Sequence, residues 1–195
     1  MSTKPLSQLA PDMEARARQV ADAINNRMPR LIGDMLVDAF RKSWQLQRFN
    51  DVGSPPWPEV KRRIPGSPWY GFNYKSNSRM PGGSRCTTGK GNPFKPGSRG
   101  GSSNFTATAT TRNILLGWGS AALRDSIFVA QAAGGKVIVA TDKPYAQVHN
   151  EGGKIRVFGK ATAILPKRQF MGQSVTAEAQ ARQMITKVIN KIMNK

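Results

Sequence analysis

The chain has 195 residues, 38% of them hydrophobic, and 30 Lys+Arg against 11 Asp+Glu give a formal charge of +19. That length suits one ordinary domain, and a mean hydropathy of -0.46 leaves part of the chain outside any core. A single cysteine, Cys86, excludes an internal disulfide framework, no run approaches the roughly 20 apolar residues of a membrane span, and the first residues form no signal peptide, so a soluble, non-secreted chain folded in a reducing cytoplasm is expected.

Residues 1–49 read as helices. Met13, Ala17, Val20, Ile24, Met28, Leu31, Met35 and Ala39/Phe40 recur at three- and four-residue steps, which is one apolar stripe on an amphipathic helix. Pro11 and Asp12 suit a first turn. Pro29 falls inside the pattern and is expected to kink or split the helix near Met28, because proline removes a backbone donor and crowds the preceding turn.

Residues 50–112 differ in composition. Between Asn50 and Thr110 lie eight prolines, ten glycines and nine Lys/Arg against two acids, which argues against a packed core there. An extended basic insertion, an arm, or a segment that orders on a partner is expected. Trp57, Trp69, Tyr70, Phe72, Tyr74, Phe94 and Phe105 punctuate it, and Lys61, Arg62, Arg63, Arg79, Arg85, Lys90, Lys95 and Arg99 supply its charge. Trp57, Trp69, Lys61, Arg62, Arg63, Arg79, Arg85 and Arg99 are therefore candidate contacts to a protein partner or to nucleic acid.

Residues 113–195 read as α+β and form one domain with residues 1–49. The stretch from Ala121 to Phe128 looks like a short helix leading into a strand. Ser126 to Ala132 and Lys136 to Thr141 are strand-like, and Gly134-Gly135 between them signals a hairpin. Pro144 to Asn150 suits a helical turn closed by Gly152-Gly153, and Arg156 to Phe158 and Ala161 to Leu165 suit a second strand pair. Val175 to Met193 is a helix with Ala181, Met184/Ile185, Val188/Ile189 and Ile192/Met193 on one face. The whole is an α+β chain with N-terminal amphipathic helices, a small, mostly antiparallel sheet, a C-terminal helix and a long Gly/Pro/Arg-rich insertion.

Catalytic patterns are sparse. His149 is the one histidine, flanked by Asp142 and Glu151, so a general-base or metal role has one candidate ligand set, against the simpler reading of a hydrogen-bonded structural histidine. Cys86 sits in a Gly-rich stretch with nothing to orient it, and reads as a loop thiol. Zinc-ligand spacings are missing, and Gly89-Lys90-Gly91 lacks the glycine spacing of a phosphate loop. Neither a catalytic residue nor a cofactor is expected. The charge leaves a second class open, a nucleic-acid-binding protein with a basic arm.

One ordered set of motifs goes further. Tyr145-Ala-Gln-Val-His149-Asn-Glu-Gly152-Gly153 is followed, after a gap, by Leu165-Pro166-Lys-Arg168-Gln-Phe170-Met-Gly172. This run resembles the phage virion morphogenesis and tail-completion family of Mu-like and related tailed phages. Met171 stands where leucine is usual, and Asn150-Glu151 where a Gln-Phe-like pair is commoner. Trp57-Pro-Glu-Val and the stretch from Ile114 to Ile127 also resemble family segments, the second with Trp118 where threonine is common. The resemblance implies a structural virion protein of the neck or tail top, assembled in the host cytoplasm. It implies a homo-oligomeric ring, hexameric, between neck or connector proteins and the tail tube, joining heads to tails. Neither a membrane nor a small-molecule substrate is implied, and a Lys/Arg-lined lumen could meet genomic DNA without sequence preference. Tyr145, His149, Gly152, Gly153, Pro166, Arg168, Phe170 and Gly172 are the motif residues, and Arg168, with its fork of donors, is the one best suited to reach a neighbouring subunit.

Overall fold

A computed structural model describes residues 6–67, 69–71, 113–115, 122–157 and 161–194. Its class is the expected α+β. The chain opens with α1 (Leu6–Asp22), a π-helical turn (Ala23–Arg27) and α2 (Met28–Leu46). Helix α3 (Ala122–Asp125) leads into the hairpin β1 (Ile127–Ala133) and β2 (Lys136–Thr141). Helix α4 (Ala146–Glu151), a second hairpin β3 (Gly153–Val157) and β4 (Ala161–Leu165), and α5 (Val175–Met193) follow. The strands divide into two antiparallel two-stranded sheets instead of one.

The break near Met28 takes the form of the π-turn, and Pro29 occupies the first turn of α2. A proline there leaves the carbonyl four residues back, that of Asn25, without its helical donor. That carbonyl accepts instead from Gly134 N–H at 2.9 Å. The helix defect is thus the docking point for the β1–β2 turn, whose Gly134 and Gly135 both take positive φ, as a tight hairpin requires.

The apolar stripe shifts across the same defect. One residue inserted into a helix turns everything after it by about 100°. The buried face of α2 is Gly33, Val37, Phe40 and Trp44, while Leu31, on the stripe read from the sequence, stays 39% exposed. Pro11 also departs from expectation: α1 begins at Leu6, and Pro11 lies inside it.

The core joins Val37, Phe40, Trp44, Phe49, Trp57, Ile114, Leu123, Ile127, Ala146 and Phe170. Gly33 lets β1 approach α2 closely, since a Cβ there would lie 2.9 Å from a Val129 methyl. Helix α5 has the bounds the periodicity gives. Its start is held from both sides, by the Ser174 hydroxyl accepting from Ala177 N–H at 3.2 Å and by Asp51 accepting from the Val175 and Thr176 amides at 3.0 Å each. No helix among the described residues is long and apolar enough to cross a membrane.

Candidate functional site

His149, Gly152, Arg168 and Phe170 of the motif meet at one junction, built by three stretches distant in sequence. The first is the end of α2 with the residues after it. Gln47, in left-handed conformation, ends the helix. Its carbonyl accepts from Trp57 N–H, and its side-chain oxygen from Ile114 N–H, both at 2.7 Å. The second is α4. The third, Lys167 to Met171, threads between the other two.

Arg168 is turned inward. Only 7% of it is exposed, its Nε and Nη2 donate to the Pro58 carbonyl at 3.1 and 2.9 Å, and Nη2 reaches the Glu59 carbonyl at 3.4 Å. Its own N–H donates to the His149 carbonyl at 2.9 Å. The fork of donors expected to reach a neighbouring subunit is therefore spent on the chain's own backbone. The physical reason is local: Pro58 and Glu59 lie in no helix or strand, so their carbonyls are open to this donor. Burial pushes the guanidinium's pKa down, and nearby Glu59 opposes that.

Trp57 needs the same correction. Expected as a partner contact, it is a core residue, edge-on to Trp44 with ring centroids 5.7 Å apart, and its indole N–H donates to the Gln169 carbonyl at 2.7 Å. The residues just after Asn50 are thus part of the packed body. Phe170, 1% exposed, lies 4.7 Å from Trp44. Asn150, where the sequence departs from the family pattern, accepts from both the Phe170 and Met171 amides at 2.8 and 3.0 Å.

His149 is half-buried, edge-on to Tyr145 at 5.9 Å, with a buried Nδ1 that has no hydrogen-bond partner. Burial, and then the charge of Arg168, lower its pKa. No group of three or more His, Cys, Asp or Glu able to hold a metal occurs among the described residues. Because the unfolded chain takes up this proton at the ordinary value of 6.5 and the fold resists it, stability falls as pH drops below that value. A His149→Gln variant is expected to flatten the fall in thermal midpoint between about pH 7 and 5; an unchanged slope would remove His149 as its cause.

Gly152 and Gly153 make the reversal into β3, and Pro166 follows the last residue of β4. Tyr145 stands at the N-cap of α4, and Gly172 takes a positive φ before α5. Of the candidate contacts, Lys61 is exposed, Arg62 donates to the Asn113 carbonyl at 2.9 Å, and Arg63 pairs with Glu59 at 3.5 Å. Trp69 is partly buried. Arg79, Arg85, Lys90, Lys95, Arg99, Cys86 and Trp118 lie outside the described residues.

Asp51 was not singled out by sequence reasoning. Beyond the two amides, it accepts from the Thr176 hydroxyl at 2.8 Å. These bonds, the Thr176 amide foremost, hold its carboxyl well below the ordinary value of 3.8. A depressed acid contributes stability that is present above its unfolded value and lost as pH falls towards the folded one. Asp51→Asn is therefore expected to lower the melting temperature at pH 7 and to flatten the acid limb below about pH 4. Equal melting curves for variant and wild type would show that the clamp is idle. The available signal was an acid just before a Pro/Gly-rich stretch, with no mark of its partner 125 residues on.

A profile of the phage virion morphogenesis family matches residues 84–194, more than half of the chain. The chain belongs to this family. The match takes in every motif residue from Tyr145 to Gly172. It also reaches upstream into residues 84–112, part of the stretch expected as an insertion, and leaves out α1, α2 and Trp57. Neither a curated protein nor a solved structure matches the chain significantly.

Proposed function

We propose that this phage morphogenesis protein completes the tail top or neck and mediates head–tail joining, assembled as a ring, hexameric, between connector and tail tube. It works by binding, without turnover, cofactor or small-molecule substrate. The observation that carries this reading is the Tyr145–Gly172 motif set, which lies within the family match and contributes Ala146 and Phe170 to the core. Arg168, Trp57 and Asn150 all serve intramolecular contacts, so the motif frames a subunit and leaves other surfaces for neighbours. Labelled antibody against the protein is expected to decorate purified virions at the head–tail junction. Decoration elsewhere, or absence from virions, would contradict the assignment.

A second reading is favoured by the charge distribution. No acid occurs between Glu59 and Asp125, while Lys61, Arg62, Arg63, Arg79, Arg85, Lys90, Lys95 and Arg99 all fall there. Such a stretch meets nucleic acid through phosphates, independently of sequence. DNA binding that weakens steeply with salt and is lost on deleting residues 61–99 is the expected result; no binding at low salt would end this reading.

A further inference from the structure

The β3–β4 hairpin is an element without a setting. Neither of its strands pairs with anything else among the described residues. Its main packing outside the hairpin is against α4, and none of its described side chains joins the core. An isolated two-stranded hairpin is marginal in water, so a partner that covers it contributes to its own order. One face carries Lys154 and Arg156, exposed and without a described ion pair, with Ile164, 76% exposed, directly across from Lys154. That face is apolar at one point and cationic at two, about 7 Å apart along the strand.

The same chain carries the complement. On the exposed side of α2, Leu31, Asp34 and Asp38 follow at three- and four-residue steps and so share a stripe. The two carboxylates are about 6 Å apart along the helix axis. Neither has a described ion pair, whereas Glu14, Glu59, Asp125 and Asp142 all do. Arg30 and Lys42 bracket them one turn away on either side, so an incoming pair of cations is accepted at one register only.

Resting on the ring assembly proposed above, we propose that the β3–β4 hairpin is the subunit-joining arm, docking on α2 of a second copy. Ile164 meets Leu31, and Lys154 and Arg156 meet Asp34 and Asp38. The contact joins two different surfaces, so it is head-to-tail and repeats around a ring.

The test is charge exchange in the full chain, read by sedimentation at low salt. K154E/R156E and D34K/D38K are each expected to weaken self-association at least about tenfold, and the two sets combined to restore it. Unchanged melting curves confirm folding; should a reversal unfold the protein, K154Q/R156Q and the salt dependence of wild-type assembly carry the same reading. Weakened association without rescue in the combination overturns the pairing. Oligomers indifferent to both reversals overturn the arm but leave the ring standing. A wild type that stays monomeric, free and in assembled tails, overturns both. Loss of DNA binding with intact assembly assigns the hairpin to nucleic acid and overturns the proposal.

Discussion

Replacing Phe170 by alanine is expected to cost about 3–5 kcal/mol of folding stability, the range for emptying a fully buried aromatic site. The ring fills the junction of α2 with the Lys167–Met171 segment, 4.7 Å from Trp44, which in turn holds Trp57. Collapse into the void is opposed because the Phe170 and Met171 amides are both fixed by Asn150. For a chain of this size, each kcal/mol lowers the melting temperature by about 2–4 °C, so a fall on the order of 10 °C is expected. Phe170→Leu keeps most of the volume and is expected to cost less than half as much. Denaturant titration checks both, and an alanine loss below about 1 kcal/mol would mean that the aromatic knot is not the centre of the core.

Gly152→Ala is the second large effect, expected at about 3–5 kcal/mol from two additive causes. Gly152 has φ 78° and ψ 173°, a region essentially closed to residues with a Cβ. A Cβ built there would lie 2.8 Å from the Lys167 backbone nitrogen and 3.2 Å from the Leu165 carbonyl oxygen. These obstacles are main chain and cannot rotate away. They also belong to the segment that carries Arg168, so relief by movement would strain the bonds to Pro58. Gly53, also at positive φ but with open space around it, is the control: alanine there meets only the backbone strain, about 1–2 kcal/mol. Thermal melts of the two variants side by side separate the strain from the clash. Equal losses would show that the close approach at Gly152 is tolerated.

Elements with local periodicity or turn chemistry were legible in the sequence. Helix α5 and the Gly134-Gly135 hairpin needed nothing beyond neighbours in the chain, and the resemblance at Tyr145–Gly172 falls within the family match. What was not legible depends on partners far away. Trp57 sits among prolines and reads as an arm residue until Trp44 and Gln169 are brought beside it. Arg168 looks like a contact for neighbours because a sequence does not reveal that the carbonyls of Pro58 and Glu59 face it. Leu31 fell off the buried face through a π-turn, which the sequence announced only as a proline. The consequence for function is a division of labour. Among the described residues, Arg168, Phe170 and Asn150 of the motif serve the chain's own packing, while the β3–β4 hairpin and the outer side of α2 carry the proposed contacts to neighbours.

We propose that this virion morphogenesis protein joins heads to tails. Electron microscopy of lysates from phage carrying an early stop codon in its gene tests this most directly. DNA-filled heads and separate tails, accumulating unjoined and restored to whole particles by the wild-type protein supplied in trans, are the expected result. Normal numbers of complete, infectious particles without the protein would contradict it.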